Sequence, residues 1–208
     1  NPAEVTNHSG GAPGVDIDGD VIGREFGVEN HVHYYTGTKS DLNSPYGNKE
    51  VIANDITEGA RKVAQAANKM WGNNVNGEII PYSYSTMKDS RLIRNWSQVK
   101  YSEGIYAVAP LGLKGDAWRE DVKSGKNNPR ILLKDGVQGG TGYAVEMGIQ
   151  NGNKVYVFNT VANSKYDIGW YQVINGKYVK LAEAPVLTKN YAIIGSRDNS
   201  EIGKQAIR

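Results

Sequence analysis

The chain has 208 residues, 24 Lys and Arg against 22 Asp and Glu, and no Cys. That length suits one α/β domain. A net charge of +2 with dispersed cations argues against a basic nucleic-acid groove. The absence of Cys excludes disulfides and thiolate metal sites and fits a reducing cytosol. No apolar run approaches the roughly 20 residues of a membrane helix. No secretory signal opens the chain, and Asn1 in place of Met leads to the expectation of a trimmed N-terminus.

In chain order, residues 3–7 predict a short strand. The turn Ser9-Gly10-Gly11-Ala12-Pro13-Gly14-Val15-Asp16 follows. Ile17, Val21, Ile22 and Phe26 then repeat at helical spacing over 17–26, with Gly27 as a C-terminal stop. Residues 32–35 predict a strand and 36–50 a polar loop. The spacing of Ile56, Ala60, Val63, Ala67 and Met70 predicts a helix over 50–71. Residues 73–81 read as a loop. Residues 90–101 read as a helix carrying Leu92, Ile93, Trp96 and Val99, and 104–109 as a buried strand. The stretch 111–130 is charged and Gly-rich, a surface excursion or lid, with a strand piece at 131–133.

Gly139-Gly140-Thr141-Gly142 precedes a helix over 143–150, and Asn151-Gly152 ends it. Residues 155–159 predict the next strand. The segments 170–174 and 178–181 flank Asn175-Gly176, a pair that accepts the positive φ of a type I′ hairpin turn. Residues 191–194 predict a final strand, followed by Gly195-Ser196-Arg197 and a helix. Strands alternating with helices imply a single α/β domain over 1–208, doubly wound, with a mostly parallel sheet.

Three Gly-rich turns follow predicted strands and precede helices: 9–14, 139–142 and 195–197. A parallel sheet places all three at its carboxyl edge. There, free N–H groups and the helix dipole bind phosphate. Ser9 and Ser196 supply hydroxyls for phosphate or for helix capping. Asp16 reads as an N-cap or as a ligand contact, Arg94 as a site residue or a surface ion pair, and Glu146 as ligand-facing or solvated. His31 and His33 share a strand face without an evident acidic partner, and with His8 they lack metal-site spacing. No metal and no cofactor are expected. The 13 Tyr and 25 Gly suit either a site for a polar, ring-bearing ligand or aromatic sheet edges.

Gly139-Gly140-Thr141-Gly142-Tyr143-Ala144-Val145-Glu146 resembles the Pro-Gly-Gly-x-Gly-Thr-x-x-Glu motif of the Lonely Guy (LOG) phosphoribohydrolases. Arg94 with the strand Gly104-Ile105-Tyr106-Ala107-Val108 is similar to that family's Arg-Lys helix and following strand. Residues 9–16 resemble the Ser-Gly-Gly-Ala-x-Gly-x-Asp turn of the wider SLOG superfamily, which also holds the DNA-processing protein DprA. Gly195-Ser196-Arg197 resembles the Gly-Ser-Arg turn that opens such domains. Gln138 and Tyr143 stand where the LOG motif has Pro and Thr.

The resemblance implies a Rossmann-like fold, circularly permuted because the Gly-Ser-Arg turn comes last, with insertions at 111–137 (loop) and 161–188 (β-hairpin). It implies a nucleotide-derived ligand, an adenine nucleotide or a cyclic ADP-ribose-like molecule. The implied contacts are Ser9, Gly10, Gly11, Ala12, Asp16, Arg94, Gly139, Gly140, Thr141, Gly142, Tyr143, Glu146, Gly195, Ser196 and Arg197. Tyr143, Trp96 or Tyr34 would stack on the base. Similar uncharacterised proteins of phages and mobile elements imply a cytoplasmic, anti-defence nucleotide sponge that forms a homo-oligomer. The alternative is a LOG-like hydrolase of the N-glycosidic bond, with Glu146 and Arg94 as catalytic pair. A DprA-like DNA binder is a third reading, and the lack of a basic patch argues against nucleic acid.

Overall fold

The computed structural model describes residues 4–34, 49–52, 56–72, 74–75, 78–79 and 91–208. In chain order the elements are β1 (Thr6–Ser9), α1 (Val15–Glu25), β2 (Glu29–Tyr34), β3 (Lys49–Ile52), α2 (Ile56–Trp71), β4 (Asn74–Val75), β5 (Glu78–Ile79) and α3 (Arg91–Lys100). Then come β6 (Gly104–Ala109), β7 (Leu111–Gly112), α4 (Arg119–Lys123), β8 (Gly136–Val137), α5 (Gly140–Asn151), β9 (Lys154–Asn159), β10 (Gly169–Ile174), β11 (Lys177–Lys180), β12 (Asn190–Gly195) and α6 (Glu201–Ile207).

One eight-stranded sheet runs β11-β10-β9-β6-β12-β1-β2-β3. The strands from β9 to β3 are parallel, and β10 and β11 add an antiparallel hairpin at one edge. Its turn is the expected one, with φ of 49° at Asn175 and 73° at Gly176. Alternation along β6 sorts the two cores. Ile105, Ala107 and Ala109 join Val63, Ile93, Trp96, Ala144 and Met147 of α2, α3 and α5. Tyr106 and Val108 join Val15 of α1 and Ile207 of α6 on the other face. The result is a three-layer α/β fold consistent with a Rossmann-like arrangement.

Several elements differ from the sequence reading. The helix expected from residue 50 begins at Ile56, because Val51 and Ile52 pair in parallel with β2 instead. The loop expected over 73–81 contains the short β4–β5 pair. The loop over 36–50 lies outside the described residues except for Lys49 and Glu50, which are strand. The strand piece at 131–133 reduces to one bridge, Ala117 to Ile131. Helix α5 starts three residues early, so Gly139 (φ 77°) is its N-cap and Gly140–Gly142 its first turn. The turn also follows β8, outside the main sheet, rather than a sheet strand.

The topology positions the site. The direction in which strands are added reverses around the centre of the sheet: β1 leads through α1 to β2 on one side, while β6 leads through α5 to β9 on the other. Such a reversal opens a crevice beyond the strand ends. The 111–137 excursion lies along this edge. Asp121, 2% exposed, accepts from the backbone N–H, Nε (2.7 Å) and Nη2 (2.7 Å) of Arg130, and Lys126 lies 2.8 Å away. Those donors hold its carboxyl well below the usual carboxylate range, despite its burial. The Arg130 guanidinium in turn covers the Trp71 ring at 4.5 Å. The excursion is therefore pinned to α2 by its own charges.

Candidate functional site

A cleft of about 560 Å³ opens at the carboxyl ends of β1 and β12. Its size falls within the roughly 300–1,000 Å³ of small-molecule sites. All three glycine turns reach it, through Ala12 and Asp16, through Gly139, Gly140 and Thr141, and through Gly195, Ser196 and Arg197. Helix α3 contributes Arg91, Arg94 and Asn95, and the excursion contributes Trp118, Arg119, Glu120 and Lys123. Six cationic side chains line the cleft, Arg130 included, against the carboxylates of Asp16, Glu120 and Asp198. That excess selects an anionic ligand.

The first turn is fastened from behind. Asp20 of α1 accepts from Asn7 Nδ2 at 3.0 Å and from Ser9 Oγ at 2.9 Å, which ties the helix to β1. Ser9 Oγ also accepts from Gly11 N at 2.9 Å. Asp16 accepts from the backbone N–H of Gly10, Ala12 and Gly195, so one carboxylate joins the first and third turns. Burial raises the Asp16 pKa, and Arg94 and those N–H groups oppose the rise. Gly14 (φ 94°) lies directly against the carbonyls of Ser196 and Arg197. A side chain there would push the two turns apart.

The second turn is clasped from the front. Gln138 Oε1 accepts from Arg119 N at 2.9 Å, and its Nε2 donates to Ala117 O at 3.2 Å. Its backbone N–H reaches Pro110 O at the end of β6. The residue that departs from the LOG motif thus holds α4 over the glycine loop. Gly142 is tight against the Val137 carbonyl and has no room for a Cβ.

No protein-family model, curated protein or solved structure matches this chain. The site is therefore read from its own geometry.

Of the expected contacts, Ala12, Asp16, Arg94, Gly139, Gly140, Thr141, Tyr143, Gly195, Ser196 and Arg197 line the cleft. Ser9, Gly10, Gly11 and Gly142 support its walls but do not line it. Asp16 does not cap α1; the N-cap is Gly14 and Asp16 is the helix's second residue. Arg94 is 3% exposed, not a surface ion-pair partner.

Glu146 is neither solvated nor a lining residue. It is 4% exposed, its Oε2 is 2.6 Å from Lys134 Nζ, and its Oε1 accepts from Gln150 at 3.1 Å. Lys134 comes from the excursion, so only the folded insertion reveals this pairing. Of the three aromatics expected to stack on a base, Tyr143 lines the cleft, but Trp71 and Trp118 pack against it edge-on. Trp96 is buried in the core, and the side chain of Tyr34 lies outside the described residues. Sequence reading missed Arg91 of α3, and it missed Trp118, Arg119, Glu120 and Lys123 of the excursion, whose one signal was the density of charge in 111–130.

The histidines form a separate cluster. His31 has an acidic partner after all, Glu29 at 2.7 Å on the same strand. His8 Nδ1 lies 3.0 Å from His33 Nε2, and His8 Nε2 lies 3.4 Å from Asn190 Oδ1. Among the described residues, no group of three or more His, Cys, Asp or Glu is arranged to hold a metal, and no helix is long and apolar enough to cross a membrane.

Proposed function

We propose that this protein binds a phosphorylated, nucleotide-derived small molecule in the cleft and holds it intact, as a sequestering or sensing protein does. The observation that carries this is the convergence of three glycine turns on one cationic cleft at the carboxyl edge of the sheet. The resemblance to SLOG domains supports the same ligand class. It also supports a permuted order, because β12 and its Gly195-Ser196-Arg197 turn pair directly beside β1.

Holding is favoured over cleavage by Glu146. A carboxylate that stabilises positive charge on ribose must reach the ligand. Both oxygens of Glu146 are engaged, by Lys134 and Gln150, away from the cleft. The second reading, a nucleotide phosphoribohydrolase, draws on Arg94 and the buried Asp16 carboxylate, which do line it.

The test is incubation with nucleoside monophosphates, diphosphates and cyclic ADP-ribose, followed by analysis of free and denaturation-released ligand. The expected result is intact ligand released on denaturation, unchanged in Glu146→Ala. Free base with ribose phosphate would establish the hydrolase. No retention in any ligand class would contradict nucleotide binding.

A further inference from the structure

We propose that the ligand's anionic part is a diphosphate, with one phosphoryl group on the Gly139–Thr141 turn and the other on the Ser196-Arg197 turn. The proposal rests on the nucleotide reading above and adds the phosphate count. It begins from an accounting of donors. The first glycine turn is closed on itself: Gly11 N donates to Ser9 Oγ, and Gly10 N and Ala12 N donate to Asp16. Gly195 N is also taken by Asp16. That turn is scaffold, not cradle.

The other two turns are open. Among the described residues, the backbone N–H groups of Gly140, Thr141 and Arg197 have no acceptor. All three residues line the same cleft. The N-terminus of α5 is one of these cradles, and an independent side chain marks it. Thr141 is 5% exposed, lines the cleft, and its hydroxyl has no partner among the described residues. That hydroxyl is open to the cleft, so a ligand oxygen can pair with it.

Charge placement agrees. With Arg130 committed to Asp121, five cationic side chains stand against three carboxylates. They are not concentrated at one cradle. Arg119 and Lys123 stand on α4, which Gln138 clasps to the Gly139 turn, while Arg197 belongs to the other turn. Asp16 and Gly14 lock the Ser196-Arg197 turn to the scaffold, so the two cradles hold fixed positions across one cavity.

Calorimetric titration with matched pairs tests this: AMP and ADP, GMP and GDP, UMP and UDP, CMP and CDP. The expected result is that the diphosphate of the preferred base binds at least about tenfold more tightly than its monophosphate, the worth of one charge-assisted hydrogen bond set. Arg197→Gln should remove most of that advantage and leave the monophosphate within about twofold, while Thr141→Val weakens both. Circular dichroism confirms that each variant is folded. A diphosphate no tighter than its monophosphate overturns the diphosphate assignment and leaves nucleotide binding intact. Equal losses for both ligands in Arg197→Gln overturn the second cradle. Binding of no nucleotide at all overturns the underlying reading as well.

Discussion

Acidification from pH 7 to pH 5 is expected to remove about 3 kcal/mol of folding stability through His8 and His33. The hydrogen-bond chain fixes their tautomers. Asn190 Oδ1 accepts, so His8 Nε2 carries its proton and His8 Nδ1 is bare. His33 Nε2 must then donate to His8 Nδ1, and His33 Nδ1 is left buried without a partner among the described residues. Tyr101 stacks on the His33 ring, parallel within 1° at 5.6 Å, and His33 is buried. A second proton on either ring meets burial and a donor already in place.

Burial accordingly lowers the His8 pKa to about 4 and the His33 pKa to about 3. Nearby His31 lowers both further, while Asn190 and Glu29 oppose the shift at His8. Both folded values lie below the free value of 6.5, so the unfolded chain takes up protons first. The stabilisation is complete above pH 6.5 and is lost progressively as pH falls toward 4. Urea unfolding at pH 7 and pH 5 checks it. His33→Gln should lower stability at pH 7 but shrink the difference between the two pH values. Equal stability of the natural protein at both would show that the pair is not held neutral.

Gly14→Ala is expected to cost about 3 kcal/mol and to abolish ligand binding. Two effects combine there. A positive φ costs an L-residue roughly 1–2 kcal/mol, and forcing a methyl into a packed site adds roughly 1–3 kcal/mol. The new Cβ would collide with the Ser196 and Arg197 carbonyls, which cannot rotate away as a side chain can. Gly27→Ala separates the two terms. Gly27 has φ 76° and nothing within 4 Å of the added Cβ, so only the dihedral cost remains. Chemical denaturation should show the larger loss for Gly14→Ala, and only Gly14→Ala should lose nucleotide binding. Equal losses would mean that the contact between the turns contributes nothing.

The parts of the fold legible in the sequence are those specified locally. The run over 104–109 is wholly buried and apolar, and β6 matches it residue for residue. Asn175-Gly176 specifies its turn through backbone conformation alone. β3 was illegible because Lys49–Ile52 is short and is made a strand only by its pairing with β2. The glycine turns were legible because each carries its own conformational requirement. The wall opposite them was not. Arg119, Glu120 and Lys123 look like ordinary surface charges until Asp121, Arg130 and Gln138 fold them over the cleft. Glu146 shows the converse: its place in a motif says nothing of Lys134, which takes its carboxylate from the far side of the insertion.

The most direct measurement is a map of backbone amide chemical shifts in the protein titrated with nucleoside mono- and diphosphates. Binding as proposed moves the amides of Gly140, Thr141 and Arg197 first and most, with smaller shifts in α4. The amides of Gly10 and Gly11, already bonded within the protein, move least among the three turns. Shifts centred elsewhere, or none with any nucleotide, would contradict the assignment of this cleft as a nucleotide site.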